Sequence, residues 1–403
     1  MTEPRARWSP ATRIAFRFAF AYFFLGFVPM ILNWLPFSDL LLEKYNDFWD
    51  AVVVWFYDDV LRLPHEIDFP GLGVTNSTYG SILFLGYLAV AVAATAIWSI
   101  LDKKRESYER LHAWLRFLLR YSLAFLMILY GTMKVIPAQM TAPPPLRVLL
   151  ARTGDLPPNS LLWWTVGASP PFETFTGLAE LLGGVLLLLP RTTLLGALIS
   201  AGNMLLVFLL NMCYDVPVKL PSLHMLVKAL ILIAPDMRRI ANVLLFNRRA
   251  EPSRIPPLFK NKWINLIPHA YLLVMGLYAV HGGFNRASTQ YELFHPPRPP
   301  LYGAWTVESF ARDGREVPPF AEPDRWRLVL IEKPGALSVE MAGSMKSYQL
   351  ELDTARKTMK LSPIQATFSF AQPEKDVIVL DGRLEGRRVR AKLRKMPLIR
   401  RTT

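Results

Sequence analysis

Residues 172–236 read FETFTGLAELLGGVLLLLPRTTLLGALISAGNMLLVFLLNMCYDVPVKLPSLHMLVKALILIAPD, and this stretch decides the class of the protein. It is oily enough for lipid, yet it carries Glu180 and Lys228 within apolar runs. An ionisable side chain in hydrocarbon costs a few kcal/mol at least, so such residues turn toward a protein interior or a shared cavity. One acid and one base in nearby segments therefore predict an integral membrane protein with a polar centre.

The whole chain agrees. Its 403 residues are 52% hydrophobic, and the mean hydropathy is +0.24, values normal for a polytopic membrane protein. The net charge of +14 would suit nucleic acid if the bases formed one patch. They cluster instead in short loops between apolar runs, where they act as topology signals, so no nucleic-acid partner is expected. Cys213 is the only cysteine, which excludes an intrachain disulfide, a CxxC pair, a CxxCH haem attachment and a cysteine zinc site. A Walker loop, a dinucleotide fingerprint, an HExxH motif and a serine elbow are all absent, so neither a metal nor a nucleotide motif is present.

A bilayer core of roughly 30 Å takes about 20 apolar residues as helix. Seven runs qualify: 14–36, 80–101, 113–136, 172–190, 192–214, 220–235 and 263–284. The first is aromatic-rich and lacks a small-residue cleavage site, so it reads as a retained helix. Arg116 and Arg120, early in the third, are expected to snorkel to the near interface. Basic residues fill the N-terminal arm, the 102–112 loop, Arg191 and 238–262, whereas 39–68 holds eight acids against Lys44 and Arg62. With seven spans the basic loops share one side. The expectation is a multi-pass protein of a bacterial inner membrane, with the N-terminus cytoplasmic and the C-terminal domain extracytoplasmic, in the periplasm. Aromatic residues at helical spacing in 41–63, with acids between them, suggest an interfacial helix. Paired tryptophans in 161–172 suggest an aromatic belt ahead of the fourth span.

The predicted organisation is a helical domain over 1–284, a polar, proline-bearing linker over 285–300, and an extracytoplasmic all-β domain over 301–403. In the last, the hydrophobic period becomes alternating. Strands are expected at 303–310, 326–332, 336–342, 346–353, 357–361, 366–371, 376–381 and 386–394, with tight turns at Lys333-Pro334-Gly335 and Asp381-Gly382. Eight short strands of this kind suggest a meander closed into a small barrel. Gly303-Ala304-Trp305 and the Arg-rich last strand resemble the lipocalin-like pattern, in which a tryptophan plugs the barrel under a terminal-strand base. Arg388, Arg390, Lys392 and Arg394 alternate with Val389, Ala391 and Leu393, as one solvated face would.

Within the helices, Glu173 and Glu180 share a face. The topology places Glu180 at the depth of Lys228, and Glu173 at the depth of Lys134. Two charge pairs are thus expected, serving either as a proton or quinone-headgroup site or as structural ties between helices. His224, four residues before Lys228, lies on the same face. Asn203 and Asn211 suit interhelical hydrogen bonds. Asn211, Tyr214 and Asp215 cluster at the outer mouth and would rim an outward-facing site. Ligation of a haem by His224 and His281 is the less favoured alternative.

The segment RYSLAFLMILYGTMKVIP (120–137), followed by GLAELLGGVLLLLPRTTLLGAL (177–198), resembles the DoxX family. The likeness rests on Gly131 to Lys134, on Gly177, Glu180, Gly183 and Gly184, and on the Arg191 turn, and it covers about 113–246. It implies a four-helix membrane unit. It also implies an auxiliary, redox-linked subunit that engages quinone, rather than a stand-alone enzyme, and the expectation for the whole chain is that such a subunit presents its outer domain to a redox or other protein partner. Roles that need paired cysteines do not transfer. A non-catalytic assembly or scaffold protein, and a proton-coupled transporter, are the alternatives.

Overall fold

The computed structural model describes residues 7–32, 37–62, 77–140, 145–151, 153–252, 258–259, 261, 263–342 and 344–397. The end of the first expected span (33–36) and the charges Glu66, Asp68, Arg254, Lys260 and Lys262 lie outside them. The described residues form two compact units. One takes residues up to 140 together with 169–288, and the other takes 141–168 together with 289–403.

Eleven α-helices occur among the described residues: α1 (Pro10–Leu32), α2 (Ser38–Trp55), α3 (Thr78–Leu101), α4 (Glu109–Val135), α5 (Leu146–Leu149), α6 (Pro158–Gly167), α7 (Pro170–Leu188), α8 (Thr193–Cys213), α9 (Lys219–Ile233), α10 (Met237–Leu244) and α11 (Leu266–Phe294). Seven helices are long and apolar enough to cross a membrane, and they fall on the seven runs read from the sequence. The short sixth run is lengthened because a 3-10 turn, Ala234–Asp236, carries α9 into α10. One further boundary differs from expectation. The last helix continues to Phe294 through most of the supposed linker, since Ala287, Gln290, Glu292 and Leu293 are good helix formers whatever their polarity. It stops just before Pro296 and Pro297, which cannot continue a helix.

A helix is present in this segment as α2, followed by the π-helical turn Phe56–Leu61. Trp49 and Val53 are buried on one face, whereas Phe37, Leu40, Phe48 and Trp55 are exposed. Trp163 and Trp164 fall in α6, ahead of α7.

The second unit contains a closed antiparallel barrel. Its strands are β1 (Gly303–Arg312), β2 (Arg315–Glu316), β3 (Leu328–Ile331), β4 (Ala336–Met341), β5 (Ser344–Asp353), β6 (Thr358–Ser362), β7 (Ala366–Glu374), β8 (Val377–Leu384) and β9 (Arg387–Lys395). β1 pairs with β3, from β3 to β9 each strand pairs with the next, and β9 pairs back with β1, so eight strands close the barrel while β2 is a short hairpin extension of β1. Closure removes the free edges that would invite aggregation. Trp305, Phe310, Trp326 and Phe368 are fully buried and fill the interior, as side chains do in a barrel of this strand number. The Trp305 ring lies 5.4 Å from Nζ of Lys395, its cross-strand partner, so the terminal-strand base is Lys395. Val389, Ala391 and Leu393 point inward, and the bases between them point out.

One turn was misplaced. Asp381-Gly382 lies inside β8, where a Cβ on Gly382 would come within 2.1 Å of the Thr367 carbonyl oxygen. The turn is at Glu385-Gly386, both at positive φ (52° and 85°), as a type I′ hairpin requires.

Helix α5 packs on the barrel. Leu146 is buried with Ala304, Leu328 and Leu330, and its amide donates to Oε1 of Glu332 at 2.7 Å. The segment between the third and fourth apolar helices is thus a strap on the C-terminal domain.

Candidate functional site

Helices α4 and α7 cross closely because glycine lines both sides. A Cβ on Gly131 would sit 2.6 Å from the Leu181 nitrogen, and one on Gly177 would sit 2.6 Å from the Val135 nitrogen. Small residues give apolar helices this approach. Gly183 and Gly184 then divide the labour on α7: Gly184 faces Met127 and Ile128 of α4, and Gly183 faces Ser200 of α8.

Three residues beyond each crossing glycine stand the charges. Nζ of Lys134 donates to Oε1 of Glu180, and both side chains are buried. Glu180 therefore pairs with Lys134, and the expected Glu180–Lys228 and Glu173–Lys134 pairs are not formed. Depth along the membrane normal had suggested them, but lateral neighbourhood decides which helices can pair, and α4 lies against α7. Glu173 is wholly buried. Its Oε1 accepts from the amides of Gln139 (3.0 Å) and Met140 (2.9 Å), and so holds the chain leaving α4. Its Oε2 has no hydrogen-bond donor among the described residues.

Arg120 and Arg116, early in α4, both have protein partners. Nε of Arg120 donates to the Leu187 carbonyl, and Nη2 donates to the Leu188 carbonyl at 2.5 Å, capping the end of α7. Cations suit this position, where helix carbonyls lack intrahelical partners. Arg116 lies 4.0 Å from Asp236.

Lys228 occupies a different place, between α9 and α1. Its Nζ lies 5.9 Å from the Phe27 ring centroid, within cation–π range. No carboxylate among the described residues pairs with it. Lysine stems on a helix lean toward its N-terminus, so this one leans toward His224. His224 is fully engaged: its Nδ1–H donates to the Leu220 carbonyl (2.7 Å), and its Nε2 accepts from the Tyr22 hydroxyl. No ring nitrogen remains for a haem iron. The Phe84 ring meets the imidazole edge-on at 5.4 Å. Tyr22 and Phe27 were missed by the sequence reading. The available signal was a hydroxyl inside the otherwise apolar 18–32 run, but nothing local ties it to a histidine some two hundred positions on.

The remaining candidates are scattered. Nδ2 of Asn211 donates to Ser222 Oγ (3.0 Å), the interhelical role expected of it. Nδ2 of Asn203 has no acceptor among the described residues. Asp215 pairs with Lys219 one turn on and is largely exposed, as are Tyr214 and Cys213. His281 hydrogen-bonds Asn285 at 3.0 Å on the exposed side of α11.

Together these features define a multi-pass helical membrane protein that bears a closed β-barrel domain. No protein-family profile and no solved structure matches the chain. It belongs to the family of the uncharacterized protein YwoB of Bacillus subtilis, to which it is 35% identical over 133 residues, a third of this chain and 81% of that protein.

Proposed function

We propose that the protein is an auxiliary membrane subunit that holds the head group of a lipid-soluble quinone at Lys228. The observation that carries this is a cation within an apolar helix, without a carboxylate partner among the described residues, beside His224, Tyr22 and two aromatic rings. Lys228 is partly buried; a charge held in an apolar bundle without a counter-charge is costly, and a ligand oxygen would offset that cost. A bound quinone supplies a pair of carbonyl oxygens that take up two electrons and two protons. Lys228 donates a hydrogen bond to one such oxygen and holds a proton at Nζ. His224, fixed by Leu220 and Tyr22, orients the polar wall, while Phe27 and Phe84 form the apolar one. Electrons come from a redox partner that the barrel engages. The DoxX likeness over 113–246 adds the redox association. Lys134, Glu180 and Glu173 become structural groups in this reading, since Lys134 and Glu180 pair with each other and Oε1 of Glu173 holds two backbone amides.

The barrel and the N-terminus lie on opposite faces of a bacterial inner membrane in this reading, with the barrel outside. The strap supports the parity: segments 145–151 and 303–397 share one unit, and four apolar helices separate them, an even number. Reporters fused after Arg249 and after Thr403 are expected to report cytoplasmic and extracytoplasmic sides. Identical readings would remove a span.

Difference spectroscopy of the purified protein with a short-chain ubiquinone analogue tests the site. A saturable signal is expected, and Lys228→Met abolishes it. A wild-type protein that gives no signal favours the second reading, a scaffold, for which the closed Lys134–Glu180 pair is the supporting observation.

A further inference from the structure

The residues of α10 read MRRIANVL and divide into two faces. Met237, Ile240, Ala241 and Leu244 stand at the i, i+3, i+4 and i+7 spacing that puts side chains on one side of a helix. Arg238, Arg239 and Asn242 occupy the other side. Ile240 packs against the bundle core. Met237, Val243 and Leu244 are exposed, and so are Leu245 and Phe246 just beyond the helix.

The chain then doubles back. Asn247 adopts a positive φ of 49°, and the Arg248 amide donates to the Asn242 carbonyl at 2.7 Å. Nε of Arg239 donates to the Glu251 carbonyl at 2.7 Å, so residues 248–251 return along the polar side of α10. Arg239 is also paired with the buried Asp236. Arg238, Arg248 and Arg249 are exposed and have no ion pair among the described residues. Arg248 flanks the Phe246 ring, 5.8 Å from its centroid. Between 237 and 251 the one acid is Glu251, which is exposed.

Unpaired guanidinium groups beside exposed apolar side chains fit one kind of occupant. A phosphodiester accepts the forked donors of a guanidinium, and acyl chains would cover Met237, Val243, Leu244 and Phe246. Helices α9 and α10 together make one of the seven helices long and apolar enough to cross a membrane, so the elbow falls where a span reaches the head groups. Basic clusters at such a place attract anionic lipid. An acidic protein would match the charge but has no chain to lay on the apolar side.

We propose that the elbow at α10 is a binding site for an anionic phospholipid. Arg238, Arg248 and Arg249 hold its phosphate, and its acyl chains lie against the apolar face of the helix. The site is distinct from that of Lys228 and stands whether or not the protein binds quinone.

The test follows thermal unfolding of the full chain in detergent micelles titrated with phosphatidylglycerol. A saturable rise in melting temperature is expected, which neither phosphatidylcholine nor inorganic phosphate reproduces. Arg238→Gln/Arg249→Gln is expected to weaken the apparent affinity about thirtyfold, roughly a factor of five for each base. Lys103→Gln/Lys104→Gln removes the same charge from an exposed loop four apolar helices away, an even number and so the same face. This control is expected to weaken binding by about twofold at most, since charge away from the elbow acts only through the screened field. Equal losses in the two double variants would reduce the effect to the general field of that face and overturn the site. So would a wild type indifferent to phosphatidylglycerol, or one that responds equally to phosphatidylcholine or to phosphate. Poly-glutamate that binds with the same arginine dependence would overturn it too, by assigning the face to an acidic protein. Should the arginine double variant not fold, Arg248→Gln is read in its place, with about fivefold weakening expected.

Discussion

Lys134 and Glu180 form a buried ion pair at the point where α4 and α7 come closest, each three residues beyond a glycine that permits the approach. The arrangement explains why two charges are tolerated in an apolar bundle. The glycines bring the backbones together, the short reach seats the ammonium on the carboxylate, and burial keeps water from competing. A buried pair of this kind is weak evidence for stability but fixes helix register.

Breaking the pair from either side leaves one uncompensated charge. Glu180→Gln and Lys134→Met are each expected to cost about 3–5 kcal/mol, and the double variant to recover most of that loss. Thermal unfolding in detergent reads the cycle, and strict additivity of the single variants would mean the two residues do not interact.

The crossing itself depends on glycine. Gly177→Ala places a methyl 2.6 Å from a backbone nitrogen, which cannot retreat. Gly202 on α8 has no atom within 4 Å of the corresponding position. Gly202→Ala is therefore expected to be neutral or to stabilise by up to about 1 kcal/mol through helix propensity, whereas Gly177→Ala destabilises and separates α4 from α7. Equal melting temperatures for the two variants would refute the close crossing.

The strap should matter to the barrel. Residues 297–403 expressed alone are expected to give a β-type circular dichroism spectrum with Trp305 shielded from quenchers. Fusing 145–168 to that piece should raise its stability, and Leu146→Ala in the fusion should remove about 2–5 kcal/mol, the usual cost of truncating a buried leucine. A fusion no more stable than the bare barrel would leave the strap without an energetic role.

Acid sensitivity offers a fourth check. Hydrogen bonds from Arg394 and Lys392 hold the Glu308 carboxyl below its ordinary value of 4.5. A carboxyl depressed on folding contributes stability above its unfolded value and loses it as pH falls through the folded one. The contribution is thus present above pH 4.5 and fades below it. Glu308→Gln should lower barrel stability at neutral pH while flattening its decline in acid. A parallel shift across the whole range would contradict the linkage. The group is exposed, so the effect is small and salt-sensitive.

The local periods of the chain were enough to read its architecture. A 3.6-residue apolar repeat and a two-residue alternation are set by backbone geometry, so seven apolar helices and an eight-stranded closed barrel were legible before any contact was known. Even the in-and-out order of β9, from Arg388 to Arg394, followed from alternation alone. The Asp381-Gly382 turn failed because an Asp-Gly pair looks the same whether it bends the chain or admits a neighbouring backbone. The last helix overran its linker because polarity does not end a helix, whereas proline does.

What sequence could not decide was partnership. Glu180, Lys228, Glu173 and Lys134 stood out as buried charges by composition, yet depth is a one-dimensional coordinate and pairing is lateral. Only the tertiary structure seats Glu180 on Lys134, hands Glu173 to two backbone amides, sets Arg120 on the end of α7, and leaves Lys228 facing Phe27 beside a tyrosine-held histidine. These contacts join positions that periodicity treats as unrelated. They form because glycine contacts and side-chain volumes choose which helices touch, and that choice belongs to the packed bundle.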